Sequence, residues 1–315
     1  LKSTRALFGF EPVTIKNLFL LPITWILSLI QLIRYQKIIQ AADIILFPAG
    51  FTENFSLHFF LLNSKKPIVQ LIHSNRCPRS IYASPLLPLF KYSWNRLQAV
   101  FVSRSQLQEW SQKQLCPKQY KIIWNGVKEG TLSKKKPTKL VPRIGYLGRL
   151  HQEKGVDILI SSLQYLDSSV TFELVIGGSG QFEKELKKQV EKIKPKIPSG
   201  VSVNFVGFQR DPQNFLESLD LTIFPSRRES FGLVLIESLE RGVPVIYSDL
   251  PQFQEICEDL TNKFKNLMFT SDNARDLASK ISLYLIERED LNSSNSQKYL
   301  HEYAIEKFGL KNMLR

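Results

Sequence analysis

PSRRESFGLVLIESLERGVP, residues 225–244, follows the apolar run LDLTIF (219–224) and reads as the end of a strand, a polar loop and a helix. The helix is expected to open near Phe231 and close at Arg241 and Gly242. Two carboxylates bracket its start: Glu229 in the loop, and Glu237 about two turns into the helix. A helix N-terminus exposes backbone N–H groups and the positive end of the peptide dipole, so the amides of Ser230, Phe231 and Gly232 suit an anionic oxygen. Gly232 allows a ligand to approach the backbone closely. The Glu237 carboxylate only accepts hydrogen bonds, and its two oxygens match a vicinal diol such as a ribose. Together these residues read as a sugar-nucleotide site. The alternative is a plain helix start, with Glu229 complementing the dipole and Glu237 on a solvated face.

The surrounding chain gives this stretch a frame. Short runs rich in Ile and Val recur at 43–47, 67–72, 99–102 and 120–124, and again at 143–147, 171–176, 201–206, 219–224, 243–247 and, more weakly, 266–269. Long helical or irregular segments separate them, such as 181–193, where Phe182, Leu186, Val190 and Ile193 fall at helical spacing. That alternation predicts parallel sheets with helical crossovers. Two doubly wound sheets in tandem, with a cleft between their carboxyl ends, are therefore the expected α/β architecture. Residues 128–142 (KEGTLSKKKPTKLVP) are polar and form the best linker. They divide the chain into a first domain (1–130), a linker (131–142) and a second domain (143–296), with a terminal segment at 297–315.

Length and composition agree with this division. The 315 residues exceed a typical single domain, and 43% apolar with 23% charged residues describes a globular chain. Cys77, Cys116 and Cys257, odd in number and widely spaced, give no disulfide framework or zinc spacing and suit a reducing cytoplasm. The net charge of +13 is unevenly placed: residues 1–140 carry 20 Lys and Arg against 5 Asp and Glu, and the remainder is nearly neutral. An anionic membrane surface or a phosphorylated lipid acceptor explains that asymmetry. Nucleic acid is disfavoured, because the basic half lacks the aromatic and basic interleaving of an RNA-binding sheet. The uncharged stretch 17–33 contains Pro22 and polar residues and reads as a buried or interfacial helix rather than a span or a signal peptide.

Three further groups could carry chemistry. GRLHQEKG (148–155) follows a strand, and its Arg149 and Lys154 can turn to one pyrophosphate across a glycine-bounded loop. GGSG (177–180) follows the next strand as either a backbone anion site or a tight turn, and Gly207 with Phe208 could flank a nucleobase. In the first half, His73 ends the 67–72 strand at the edge expected to face the cleft. No Asp-x-Asp pair occurs, which favours charge neutralisation by Arg and Lys over a metal.

In order along the chain, GRLHQEKG, GGSG, VNFVGF (203–208), the 225–244 stretch and DLPQFQE (249–255) resemble the retaining GT-B glycosyltransferases of family 4. Glu229 and Glu237 meet that family's Glu-x7-Glu spacing, and QLIHS (70–74), VFVSRSQ (100–106) and IIWNGV (122–127) are similar to its first-domain landmarks. The resemblance implies that Arg149 and Lys154 bind the donor diphosphate and that Glu229 contacts the donor sugar. It implies that Phe231 and Gly232 cradle sugar or phosphate through backbone amides, that Glu237 holds the ribose, and that His73 approaches the transferred sugar. It further implies sugar transfer with retention, and the leading reading is hexose transfer from a UDP- or GDP-sugar to a lipid-linked or polysaccharide precursor, with the basic first half and the 17–33 stretch placing it at the cytoplasmic face of a membrane. Neither metal nor cofactor beyond the nucleotide-sugar co-substrate is implied. The segment 297–314 resembles the helix that crosses back to the first domain. The family's opening strand and glycine-rich loop have no counterpart before residue 17, so the first domain is expected to lack its N-terminal strand or strands. A non-catalytic nucleotide-sugar-binding protein is the alternative function.

Overall fold

The computed structural model describes residues 41–47, 66–73, 92, 95, 97–112, 116–132 and 141–313. The stretch 17–33, Cys77 and most of the linker lie outside them. The chain divides into two compact units, Leu1–Ile123 and Trp124–Arg315. This division falls ahead of the 131–142 linker, because residues 124–130 dock within the second unit. Trp124 donates from its indole N–H to Glu255 Oε1 at 2.9 Å, the Val127 amide donates to the Phe308 carbonyl at 2.8 Å, and the Gly130 amide donates to Glu240 Oε1 at 2.8 Å.

In the first unit, β1 (Ile45–Phe47), β2 (Ile68–Ile72), β3 (Gln98–Phe101) and β4 (Gln119–Ile122) form a parallel sheet in that order. Helix α1 (Arg104–Gln112) follows β3 and buries Trp110 edge-on to Phe101. Among the described residues the strands lie in sequence order, without the reversal that a doubly wound sheet requires.

The second unit does wind both ways. Its elements are β5 (Arg143–Leu147), α2 (Val156–Ser162), β6 (Phe172–Gly177), α3 (Glu183–Ile193), β7 (Val201–Gly207), α4 (Pro212–Glu217), β8 (Leu221–Phe224), α5 (Leu233–Glu240), β9 (Val245–Ser248), α6 (Pro251–Cys257), α7 (Asn262–Lys265), β10 (Met268–Phe269), α8 (Ala274–Leu291), α9 (Ser294–Phe308) and α10 (Leu310–Met313). All strand pairs are parallel, and the sheet order is β10-β9-β8-β5-β6-β7. The winding starts at β5, proceeds to β7, then returns across β5 to β8. Adjacent β5 and β8 thus form the topological switch point, outside whose carboxyl ends ligands bind in open α/β sheets.

Burial explains why these runs become strands. Every residue of β8 and β9 is buried, and in β5 only Arg143 is partly exposed. Helices covering both faces make a continuous apolar run the right sequence for such strands, and each buried Leu or Ile contributes about 1.5–3 kcal/mol. Edge strand β7 alternates half-buried with exposed residues instead. One core cluster joins Leu147, Val175, Phe215, Leu216, Leu219 and Val243, tying α4 to the sheet directly behind the switch point.

Candidate functional site

Two loops leave the switch point, 148–155 after β5 and 225–232 after β8, and the backbone stitches them together. The Arg227 and Arg228 amides donate to the Glu153 carbonyl at 2.8 and 3.2 Å. His151 caps the short 3-10 turn Gln152–Lys154, its Nδ1 accepting from the Glu153 amide at 3.3 Å. Gly155 then turns with φ +66°, and a Cβ there would stand 1.8 Å from the Pro225 carbonyl oxygen. Only glycine allows the two loops to approach this closely. The outcome is an ion pair across the switch point: Lys154 Nζ donates to Glu229 Oε1, which also accepts from Ser226 Oγ at 3.3 Å. Each side chain of the pair is 18% exposed.

Arg227, which sequence reading passed over, holds this junction in place. Its guanidinium grips Asp157 with two bonds of 2.8 and 2.7 Å, donates from Nε to Asp272 at 2.6 Å, and reaches the Gln152 carbonyl at 2.7 Å. The bond to Asp157 raises its pKa above the usual arginine value, burial opposes that, and Asp272 adds to it. A planar fork engaged on three sides is a brace for the loops rather than a ligand-binding cation. No local motif could reveal it, since its partners come from other turns of the sheet.

Arg149 is exposed on the β5 loop, and its carbonyl accepts from the Tyr146 hydroxyl at 3.0 Å. Burial, reinforced by the Glu229 charge and opposed by that of Arg149, pushes the Tyr146 hydroxyl well above the ordinary tyrosine range. One hydroxyl therefore feels both charges. The structure pairs Lys154 with Glu229 and sets the Tyr146 hydroxyl, unforeseen from sequence because Tyr146 lies within a strand, against the Arg149 backbone of the same loop.

The helix behind Glu229 begins two residues later than its sequence indicated. Gly232 caps it with φ +118°, a conformation closed to most side chains, and a Cβ there would lie 2.8 Å from the Phe253 ring. Phe231 turns inward, 3% exposed, edge-on to Phe308 with centroids 6.0 Å apart, while Ser230 stays half-buried. The part left to Phe231 is that of its backbone. Glu237 is half-buried in α5 rather than on a solvated face. Burial first, and the Glu240 charge second, raise its carboxyl above the usual range, with Arg241 opposing.

The remaining candidates are Gly207 with Phe208, the GGSG run and His73. Phe208, 73% exposed, follows Gly207 at the end of β7 and presents a free ring face at the same edge of the sheet. The GGSG run packs against the β5 loop: Leu150 donates to the Ser179 carbonyl at 2.9 Å, and a Cβ on Gly178 would stand 1.8 Å from the Gly148 carbonyl oxygen. Of its two readings, the structure supports the tight turn. His73 lies in the first unit, exposed, one residue beyond β2.

The family model for glycosyl transferases group 1 matches residues 130–307. The chain belongs to this family. Among curated relatives of this group 1 glycosyltransferase, the O-antigen biosynthesis glycosyltransferase WclY of Escherichia coli is 30% identical over 152 residues, covering 45% of this chain and 41% of that protein. The lipopolysaccharide core biosynthesis mannosyltransferase LpsB of Rhizobium meliloti is 26% identical over 161 residues, covering 49% and 44%. The matches thus span less than half the length of either relative. The crystal structure of Anabaena Alr3699/HepE in complex with UDP superposes with a TM-score of 0.72 at 21% identity, over 88% of this chain and 79% of that one. The fold is GT-B, with two parallel-sheet α/β domains, as the sequence resemblance implied.

Proposed function

We propose that the protein transfers a hexose from a UDP- or GDP-sugar to a lipid-linked or polysaccharide precursor, with retention of anomeric configuration and without a metal. The observation that carries this reading is the Lys154–Glu229 pair outside the β5 and β8 ends, with Arg149 exposed on the same β5 loop and both loops braced by Arg227. The names of the relatives support it: one O-antigen glycosyltransferase, one mannosyltransferase, and one structural neighbour solved with UDP.

In this reading Arg149 and Lys154 take the diphosphate, Glu237 accepts from the ribose hydroxyls, Phe208 stacks on the base, and the backbone at Ser230, Phe231 and Gly232 holds sugar or phosphate. An arriving diphosphate competes with Glu229 for Lys154, freeing the Glu229 carboxylate to accept from a sugar hydroxyl. The anomeric carbon–oxygen bond to phosphate breaks while the acceptor oxygen attacks from the same face. The acceptor proton passes to the leaving phosphate oxygen, so no side-chain base is consumed. Preorganised cations are worth most where charge develops on the departing nucleoside diphosphate. His73 is assigned to the transferred sugar, and an anionic membrane surface to the basic first unit, as a peripheral association at the cytoplasmic face.

Nucleotide release from UDP-glucose and GDP-mannose, followed without acceptor by chromatography, tests the reading. Slow release of one nucleotide, lost in Arg149→Ala and Glu237→Ala and giving a sugar with the donor's anomeric configuration when methanol traps it, is the expected result. Nucleotide binding without any release would leave a non-catalytic binding protein instead.

A further inference from the structure

Residues 124–130 follow the first unit's last strand and are fastened within the second unit, at one end to Phe308, which touches the donor-site loop, and at the other to the helix that carries Glu237. At one end the Trp124 ring lies 5.3 Å from Phe308, which also meets Phe231 at 6.0 Å, next in sequence to the loop residues Glu229 and Ser230. The Trp124 indole is anchored by Glu255, and Lys307 sits over the Trp124 and Phe308 rings at 5.5 and 5.7 Å. The Val127 amide and carbonyl bond to Phe308 and Leu310, fixing the segment along the end of α9. At the other end Glu240, 3% exposed, accepts from the Gly130 amide at 2.8 Å and pairs with Arg241 at 2.9 Å. Glu240 stands one turn beyond Glu237 on the same helix.

Resting on the donor-site reading above, we propose that Phe308 and Glu240 are positioning residues, through which seating of the 124–130 segment and occupancy of the donor site reinforce one another. A buried ring packed against both Trp124 and Phe231 transmits displacement because close-packed aromatics have few alternative arrangements. Phe308 fixes the loop that bears Glu229, and Glu240 fixes the helix that bears Glu237. Coupling of this kind is reciprocal: a nucleotide that steadies the loop also steadies the segment.

Amide hydrogen exchange of the full chain, with and without UDP or GDP, tests this in wild type, Phe308→Leu, Phe308→Tyr and Glu240→Gln. In wild type the effective nucleotide should slow exchange at 229–232 and also at 124–130. Phe308→Leu should abolish the response at 124–130 and weaken nucleotide binding by about tenfold, within the usual range of coupling between sites, while Phe308→Tyr restores both. Glu240→Gln should lessen the response at Gly130 alone. A wild-type response confined to 229–232, or an unchanged response in Phe308→Leu, overturns the proposal. If neither nucleotide alters exchange anywhere, the donor reading fails, and Phe231→Leu without nucleotide still decides the coupling. Faster exchange at Val127 in that variant supports it, and an unchanged rate overturns it.

Discussion

Glu237 is the residue whose chemistry is most exposed to test. Its pKa is raised in the folded protein by burial and by Glu240, so between the unfolded value and the raised one the folded chain holds a proton that the unfolded chain has released. Stability from this group is therefore fully present below the ordinary carboxylate range and is lost as pH rises through the raised value. Glu237→Gln removes that dependence. In thermal melts across pH 4 to 8 as approximate limits, the variant is expected to lose less stability than wild type as pH rises, and to be no less stable near neutrality. A wild-type profile superimposable on that of the variant would contradict the assignment. The same substitution should weaken nucleotide binding, because it replaces one of two acceptor oxygens by a donor. The sequence already singled out Glu237, Glu229 and Lys154. What it did not show is that Lys154 and Glu229 pair with one another, since their meeting depends on the adjacency of β5 and β8.

At the level of elements, the site is two loops braced by Arg227, and the brace makes its own prediction. Lysine keeps one charge but cannot reproduce two bonds to Asp157 together with one to Asp272. Arg227→Lys should cost about 1–3 kcal/mol by denaturant titration, the range for losing part of a charged hydrogen-bond network. It should weaken nucleotide binding as well, although Arg227 itself touches no proposed ligand. A loss of stability with unchanged affinity would show that the brace holds the fold and not the site. The strands were legible in sequence because buried parallel strands are uninterrupted apolar runs, and β5 falls at 143–147 as read. The brace was not legible, since Arg227 and Asp157 lie 70 residues apart and neither belongs to a periodic pattern. The start of α5 was misplaced by two residues because Gly232, read as a point of close approach, is also a backbone break at φ +118°.

Across the whole molecule, charge and topology divide the labour. The net positive charge of residues 1–140 predicts pelleting with vesicles containing anionic lipid, falling several-fold between about 0.05 and about 0.5 M salt as screening sets in. Salt-independent pelleting, or none, would remove the membrane from the account. No helix among the described residues is long and apolar enough to cross a membrane, so the test concerns surface attachment. The order of motifs made the second domain readable, because each motif follows a strand of a sheet whose reversal at β5 gathers them at one edge. The seating of residues 124–130 on α9 is not legible in the sequence, because Trp124 and Glu255 are 131 residues apart and a polar linker gives no sign of where it docks. Nucleotide-sugar binding at this gathered edge is the proposal on which the rest depends. It is tested most directly by thermal stability of the full chain against UDP, GDP and their hexose conjugates, repeated with Lys154→Ala and Glu237→Ala. One nucleotide at about a hundred times its dissociation constant is expected to stabilise wild type by about 2.7 kcal/mol and neither variant comparably. Equal stabilisation of all three proteins, or of none by any nucleotide, would contradict it.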